Sequence, residues 1–199
     1  MKKLSIPLLW LVVVICLLPG LVMAQVTGIW NTTGLTRVDV TAIKALNLVP
    51  EHTVEVADSS YEFKVNGDFV AGDIRGKWLQ RKNQYNVAID RLALENQYRL
   101  SLEQTPGLVV NQIKLVKTKL AGSQLDNGLW GGESYEYRVD TTLNGRREVL
   151  KVLMTLHVAS ASKQTLPVDV PAVKALQASP QHSSLDTAAT AVVNYLNHH

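Results

Sequence analysis

The side chains of this sequence that are best suited to chemistry are aromatic. Five of them fall at alternating positions of expected strands, so that neighbours on one strand share a face; they are Tyr61, Phe63, Trp78, Tyr85 and Tyr137. Tyrosine combines a hydroxyl with an apolar ring, which suits the wall of a cavity for an apolar or amphipathic small molecule. We therefore predict these five as ligand-binding residues. Two alternatives stay open: the rings pack a core, or Tyr135 and Tyr137 lie on an outer face that meets a partner protein.

Patterns for catalysis or metal binding are absent from the sequence. It contains no Gly-x-Ser-x-Gly elbow and no phosphate-binding glycine loop before a helix. None of the histidines is paired at a strong ligand spacing with another ligand. Glu133, Glu136 and Asp140 have the spacing of surface residues on a strand. We predict no catalytic residue, metal site or cofactor, although an enzyme whose acidic groups meet only in space stays an alternative.

The first 24 residues have the pattern of a signal peptide. Lys2 and Lys3 precede an apolar run that extends from Leu8 to Leu18, and a Pro-Gly break and Ala24 follow it. This order predicts cleavage before Gln25 and export to the periplasm or the outside. The alternative is an uncleaved membrane anchor, which the prolines and glycine inside the stretch disfavour. After cleavage we expect no stable membrane span.

Removal of this segment changes the charge and the thiol chemistry of the chain. The 199 residues carry 20 Lys and Arg, 17 Asp and Glu, and one cysteine. Lys2, Lys3 and Cys16 all lie in the signal peptide, so the mature chain has a formal charge of +1 and no thiol. A nearly neutral chain gives no electrostatic reason to expect a nucleic-acid partner. The absence of cysteine excludes disulfides from the mature protein.

The region from 25 to 160 is β in character. Apolar and polar residues alternate in several short runs, the clearest being Leu150 to Val158. Asn66-Gly67 and Asn144-Gly145 each predict a two-residue hairpin turn, the first of which would place Phe63 opposite Val70. Val54 and Val56 are expected on the buried face of their strand. About eight short strands with little room for helices predict an antiparallel up-and-down β-barrel, with a β-sandwich as the rival.

Two segments outside this pattern are less regular. Residues 92–103 fit a helical stripe and a strand equally well. Residues 161–199 are rich in Ala, Ser, Gln and Pro, which predicts a low-complexity tail that is loosely ordered or holds short helices. One helix would extend from Asp169 to Ala178. Ser184 would cap another, with one apolar stripe formed by Leu185, Ala189, Val192 and Leu196.

Each tryptophan of the mature chain lies two residues after a glycine, and these motifs resemble a known family. Gly28-Ile29-Trp30 follows the cleavage site and opens the first strand, as in the lipocalin and fatty-acid-binding (calycin) group. The pattern is similar to lipocalin-like domains of exported bacterial proteins over residues 27 to 158. The two later motifs end at Trp78 and Trp130, and in such a position tryptophan can plug a barrel end. The chain lacks the Thr-Asp-Tyr segment and the disulfide pair of true lipocalins.

The resemblance implies a cup that holds an apolar small molecule. We therefore expect an exported, non-catalytic binding protein for an apolar or amphipathic small molecule. The first alternative is a structural or interaction protein of the envelope, with a solid barrel and an envelope protein as partner. The second alternative is an enzyme that acts at the barrel mouth.

Overall fold

A computed structural model describes residues 26–44, 50–72, 74–125, 128–164 and 184–199. Within these ranges eight antiparallel strands follow one another around a closed barrel, and β8 pairs with β1. The strands are β1 (Gly28–Ala42), β2 (Glu51–Phe63), β3 (Asp68–Ala71), β4 (Ile74–Arg81), β5 (Gln84–Ile89), β6 (Leu108–Leu125), β7 (Gly128–Leu143) and β8 (Arg146–Lys163). Two helices accompany them, α1 (Arg91–Glu103) and α2 (Ser184–His198). The predicted up-and-down barrel is confirmed.

The strands of the barrel differ in length, and α1 packs against β6 where β5 is too short to pair with it. β5 pairs with β6 only between Gln84 and Val87, so within the described chain the first half of β6 is paired with β7 on one side and has no strand on its other side. Side chains of α1 take that place, since Glu95 Oε1 accepts a hydrogen bond from the Leu115 amide at 2.7 Å and Arg99 donates to the Val110 carbonyl at 2.9 Å. The helix thus supplies the partners that a strand edge needs.

The ambiguous segment 92–103 is helical. Asp90 caps α1, because its carboxylate accepts a hydrogen bond from the Ala93 amide at 3.1 Å. Leu94, Tyr98 and Leu102 lie one turn apart and are all buried. Their burial against the barrel decides between the two periodicities, which the local sequence leaves equal.

The predicted C-terminal helix from Ser184 is confirmed as α2, and it packs on the barrel. The four residues of its predicted stripe are buried. The Tyr98 hydroxyl donates to the Ala188 carbonyl at 3.2 Å, and the Tyr195 hydroxyl accepts from the Ala42 amide at 3.3 Å. Residues 184–198 therefore belong to the folded unit, and the expected helix at 169–178 lies outside the described residues. Neither helix of the described chain is long and apolar enough to cross a membrane.

The two Asn-Gly pairs form different turns. Asn144 and Gly145 both have positive φ and join Leu143 directly to Arg146, which confirms a two-residue hairpin. At the other pair Phe63 faces Phe69, so the predicted register with Val70 is wrong. Asn66 keeps a negative φ because its side chain bonds to Asp68, at 3.1 Å to the amide and 2.7 Å to the carboxylate. The loop is therefore longer and ends at Gly67, which has a φ of 82°.

Three apolar side chains face outward instead of inward. Val54 and Val56 are exposed, because the opposite face of β2 meets α2, where Glu55 accepts a hydrogen bond from Thr187 at 2.8 Å. Trp130 is also half exposed, whereas Leu129 beside it is buried. The prediction that the third Gly-x-Trp motif plugs the barrel is therefore wrong. Trp30 does lie inside, with its indole nitrogen 2.8 Å from the Val26 carbonyl.

Candidate functional site

The structure brings four of the five predicted ligand-binding residues together. Phe63 lies at the centre and makes edge-to-face contacts with its neighbours. Its ring centroid is 5.2 Å from that of Tyr85, 5.5 Å from that of Trp78 and 6.4 Å from that of Tyr61. Phe69, which the sequence analysis did not select, joins them at 5.1 Å from Phe63. We call these five side chains the aromatic cluster.

Tyr137 does not belong to this cluster. It stacks instead against Tyr98 of α1, with ring centroids 4.7 Å apart. Tyr135 and Tyr137 both point into the barrel and are fully buried, so the alternative of an outer aromatic face is wrong. The two tyrosines share the inward face of β7 with Val139 and Leu143.

Four of the five predicted ligand-binding residues are sealed within the protein. Tyr61, Phe63, Tyr85 and Tyr137 are each at most 1% exposed. A side chain with so little accessible surface borders neither solvent nor a void that could hold a water molecule. Trp78 is half-buried, and its indole nitrogen donates to the Lys64 carbonyl at 2.9 Å. The rings of the aromatic cluster contact one another where a ligand was expected.

A buried carboxyl group, Glu133, lies beside the aromatic cluster. On the inward face of β7 it is flanked in register by Leu120 and Leu156. The Tyr61 hydroxyl donates to its Oε1, and the Tyr135 hydroxyl donates to its Oε2 at 2.7 Å. Burial raises the pKa of the Glu133 carboxyl above its ordinary value, against the lowering effect of these two hydrogen bonds.

The spacing of Glu133 with Glu136 and Asp140 predicts a surface residue, and that prediction is wrong because Glu133 is buried. Residues of equal parity on a strand share a face, so Glu133 lies with Tyr135 and Tyr137. Glu136 and Asp140 have the other parity and face outward. The signal was present in the sequence, but a single acidic residue among inward positions is easily taken as a surface residue.

The phenols around Glu133 are weak acids. Burial, followed by the charge of Glu133, raises the pKa of Tyr61 and of Tyr135 well above the ordinary tyrosine value. The same two causes raise the pKa of Tyr85. These phenols therefore stay protonated, which makes them poor bases or nucleophiles, and those of Tyr61 and Tyr135 donate hydrogen bonds to Glu133.

Several buried hydroxyls of the barrel interior have no hydrogen-bond partner among the described residues. Tyr85 and Tyr137 are two of them, and Thr36 and Thr141 are two more that face into the barrel. Such groups cost free energy unless something satisfies them. The Tyr85 hydroxyl lies against Gly122 and Gly131, where a Cβ atom on either glycine would overlap it.

The pKa of Glu133 leads to a prediction about pH and stability. Because the folded state raises this pKa, its contribution is fully present below the ordinary carboxyl pKa and is lost as the pH rises through the folded value. Glu133→Gln cannot ionise, so its free energy of unfolding should decline less than that of wild type as the pH rises from the ordinary carboxyl pKa of about 4.5 through the raised value of the folded state. Urea unfolding across this range measures the difference.

The control for this prediction is Glu62→Gln, which removes a carboxylate from the outer surface, 3.6 Å from the ammonium nitrogen of Lys64. It should leave the pH dependence close to that of wild type. An unchanged slope in Glu133→Gln would contradict the assignment of this dependence to Glu133.

Comparison with known proteins adds no assignment to this site. No protein-family model matches the chain, and no match was found among curated proteins or solved structures. Among the described residues, no group of three or more His, Cys, Asp or Glu side chains could hold a metal ion. His157, on a late strand, is exposed on the outer face.

Proposed function

We propose that this chain is an exported, non-catalytic interaction protein whose solid barrel holds an outer binding face in place. The observation that carries the proposal is the burial of the aromatic cluster, in which every ring except that of Trp78 is at most 1% exposed. Sites for small molecules are concave and usually formed before the ligand arrives. Four of the five residues best suited to line such a site instead fill the interior with their own rings.

The packing continues beyond the cluster to the other end of the barrel. Tyr98 of α1 and Val192 of α2 belong to the same hydrophobic core as Phe63. Hydrogen bonds fix α1 to β6 and α2 to β1, so both helices cover the barrel beside these strands. A core of this kind supports a rigid outer surface, which is what an interaction protein requires.

Export and a lipocalin-like relationship are part of the proposal. The lysines at positions 2 and 3, the apolar run after them and Ala24 support a signal peptide and a periplasmic or secreted location. Gly28-Ile29-Trp30 at the start of β1 and the eight-stranded topology support a lipocalin-like barrel.

A titration with an uncharged apolar dye, N-phenyl-1-naphthylamine, tests the solid interior. The chain from Gln25 onward should show no saturable binding up to about 50 µM, followed by dye emission and by quenching of tryptophan emission. Tyr85→Ala is the positive control, because it opens a void beside Phe63 that should admit the dye. If Tyr85→Ala does not fold, Leu115→Ala, at another buried position, is the substitute positive control. Stoichiometric binding by wild type with a Kd below about 10 µM would overturn the proposal.

The second candidate function is the binding of an amphipathic small molecule inside the barrel. Glu133 and the unpartnered hydroxyls of Tyr85 and Tyr137 favour it, because a polar ligand group could satisfy them. In that case wild type should bind the dye, and dodecylamine should displace it. Glu133→Gln should then weaken the amine without weakening the dye.

A further inference from the structure

The outer faces of β6, β7 and β8 carry a concentration of positive charge. Nine outward side chains form three rows of three across these strands, as the pairing of residues shows. The rows are Lys114, Arg138 and Lys151; Lys117, Glu136 and Leu153; and Lys119, Ser134 and Thr155. Five are cations and one is an acid, a formal charge of +4 on a mature chain whose total is +1. We call this surface the cationic face.

One row of this face is unfavourable for folding alone. Lys114 lies directly opposite Arg138, which lies directly opposite Lys151. Like charges in directly opposed positions of a sheet destabilise it. Three cations in one row therefore indicate a role outside the fold, where an anion would relieve their repulsion.

Neighbouring carboxylates neutralise little of this charge. Glu136 is shared between two lysines, with its oxygens 3.4 Å from Lys117 Nζ and 3.6 Å from Lys151 Nζ. Asp140, the next outward acid on β7, forms a salt bridge with Arg147 at 2.6 Å. Within the described residues, Lys114, Arg138 and Lys119 have no carboxylate within salt-bridge distance.

Apolar side chains continue the same surface toward the end of the barrel where β1 begins. Trp130 is on the outward side of β7, eight residues before Arg138 or about 26 Å along the strand. Leu35 faces His157 on β8 and Val56 on β2. The side chains of Trp130, Leu35 and Val56 are each about half exposed or more. The cationic rows thus lie about 13 to 26 Å along the strands from the exposed tryptophan. A surface with cations in one part and exposed apolar side chains in the next matches the interface of an anionic bilayer, in which headgroups and acyl chains are adjacent.

We propose that the cationic face, together with Trp130 and Leu35, binds the surface of a bilayer that contains anionic phospholipids. The barrel then lies on its side, with the strands of β6 to β8 against the headgroups. This inference rests on the proposed function, because a solid barrel acts through its outer surface. Apolar contact is the reason to favour a lipid surface over a soluble polyanion, which would use the cations alone.

Vesicle co-sedimentation of the chain from Gln25 onward, which contains every described residue, tests this inference. Binding is expected to phosphatidylcholine vesicles with about 30% phosphatidylglycerol, and not to phosphatidylcholine alone; it should fall at about 0.5 M NaCl. The triple variant Lys114→Gln, Arg138→Gln and Lys151→Gln should bind at least about 20-fold more weakly. The matched control removes three cations from the other wall, at Lys64, Lys77 and Arg81, and should bind like wild type.

Tryptophan emission gives a second measurement of the same contact. Emission should shift to shorter wavelength with anionic vesicles. The variant Trp130→Phe, which keeps Trp30 and Trp78, should lose this shift. Equal binding to both kinds of vesicle, no binding, or a triple variant that binds like wild type would each overturn the inference. Binding to heparin without binding to vesicles, or displacement by about 10 mM inorganic phosphate, would also overturn it. The dye titration tests the solid barrel independently of vesicle binding. The proposed function and the inference about the cationic face can therefore be contradicted separately.

Discussion

Glu133→Leu should lower the free energy of unfolding by about 3 kcal/mol, whereas Glu133→Gln at the same position should lower it by less than about 1 kcal/mol. Leucine is close to glutamate in size and suits the apolar neighbours Leu120 and Leu156. However, it leaves the hydroxyls of Tyr61 and Tyr135 buried without an acceptor. Glutamine keeps an oxygen for one tyrosine and offers an amide to the other, so the hydrogen bonds survive.

A double-mutant cycle separates these hydrogen bonds from packing. Tyr61→Phe and Tyr135→Phe should each cost about 1 kcal/mol in wild type, but in the leucine variant each should recover part of the lost stability, because it removes a buried hydroxyl that no longer has an acceptor. Urea unfolding at pH 7 gives all the free energies. Equal costs for the leucine and glutamine variants would show that the hydrogen bonds at Glu133 contribute little to stability.

The contrast between leucine and glutamine bears on how much of this site the sequence could predict. Alternation along β7 places Tyr135, Tyr137 and Val139 on one face, and the same rule places Glu133 with them. What the sequence does not contain is the contact of Glu133 with its second partner, because Tyr61 is 72 residues away and meets it across the barrel interior. The tyrosines could be found from their type and spacing, but the carboxyl group needed the closed barrel to reveal it.

The fold itself was easier to predict where one face was clearly apolar. β7 and β8 have such a face, and their hairpin at Asn144-Gly145 formed as expected. β2 misleads in this respect, since Val54 and Val56 alternate with Thr53, Glu55 and Ala57 but face outward. There α2 covers the polar side, and this contact lies far beyond the range of any local pattern. Trp130 is a second case that local pattern does not predict. Gly131 lies on the inward face of β7 and leaves room for Tyr85, whereas Trp130 lies on the outward face.

Gly122→Ala should destabilise the protein by at least about 3 kcal/mol and lower its yield of folded barrel. The added Cβ would overlap the carbonyl oxygen of Trp130 as well as the hydroxyl and ring of Tyr85. The carbonyl belongs to the β6–β7 ladder, where Gly122 pairs with Gly131, so it cannot move without separating two central strands. Thermal and urea unfolding, read by circular dichroism, measure the loss.

The second glycine and the ring between the two glycines provide the controls for this prediction. At Gly131 the atom nearest to an added Cβ is the Tyr85 hydroxyl oxygen, at 2.5 Å, so Tyr85→Phe should recover part of the stability lost in Gly131→Ala. The same change should recover little in Gly122→Ala, because the clash with the Trp130 carbonyl persists. Gly145→Ala has no atom within 4 Å and should cost only about 1 kcal/mol for its positive φ. If Gly122→Ala cost no more than this turn variant, the interior would have room beside Tyr85, and the solid barrel on which the proposed function rests would be wrong.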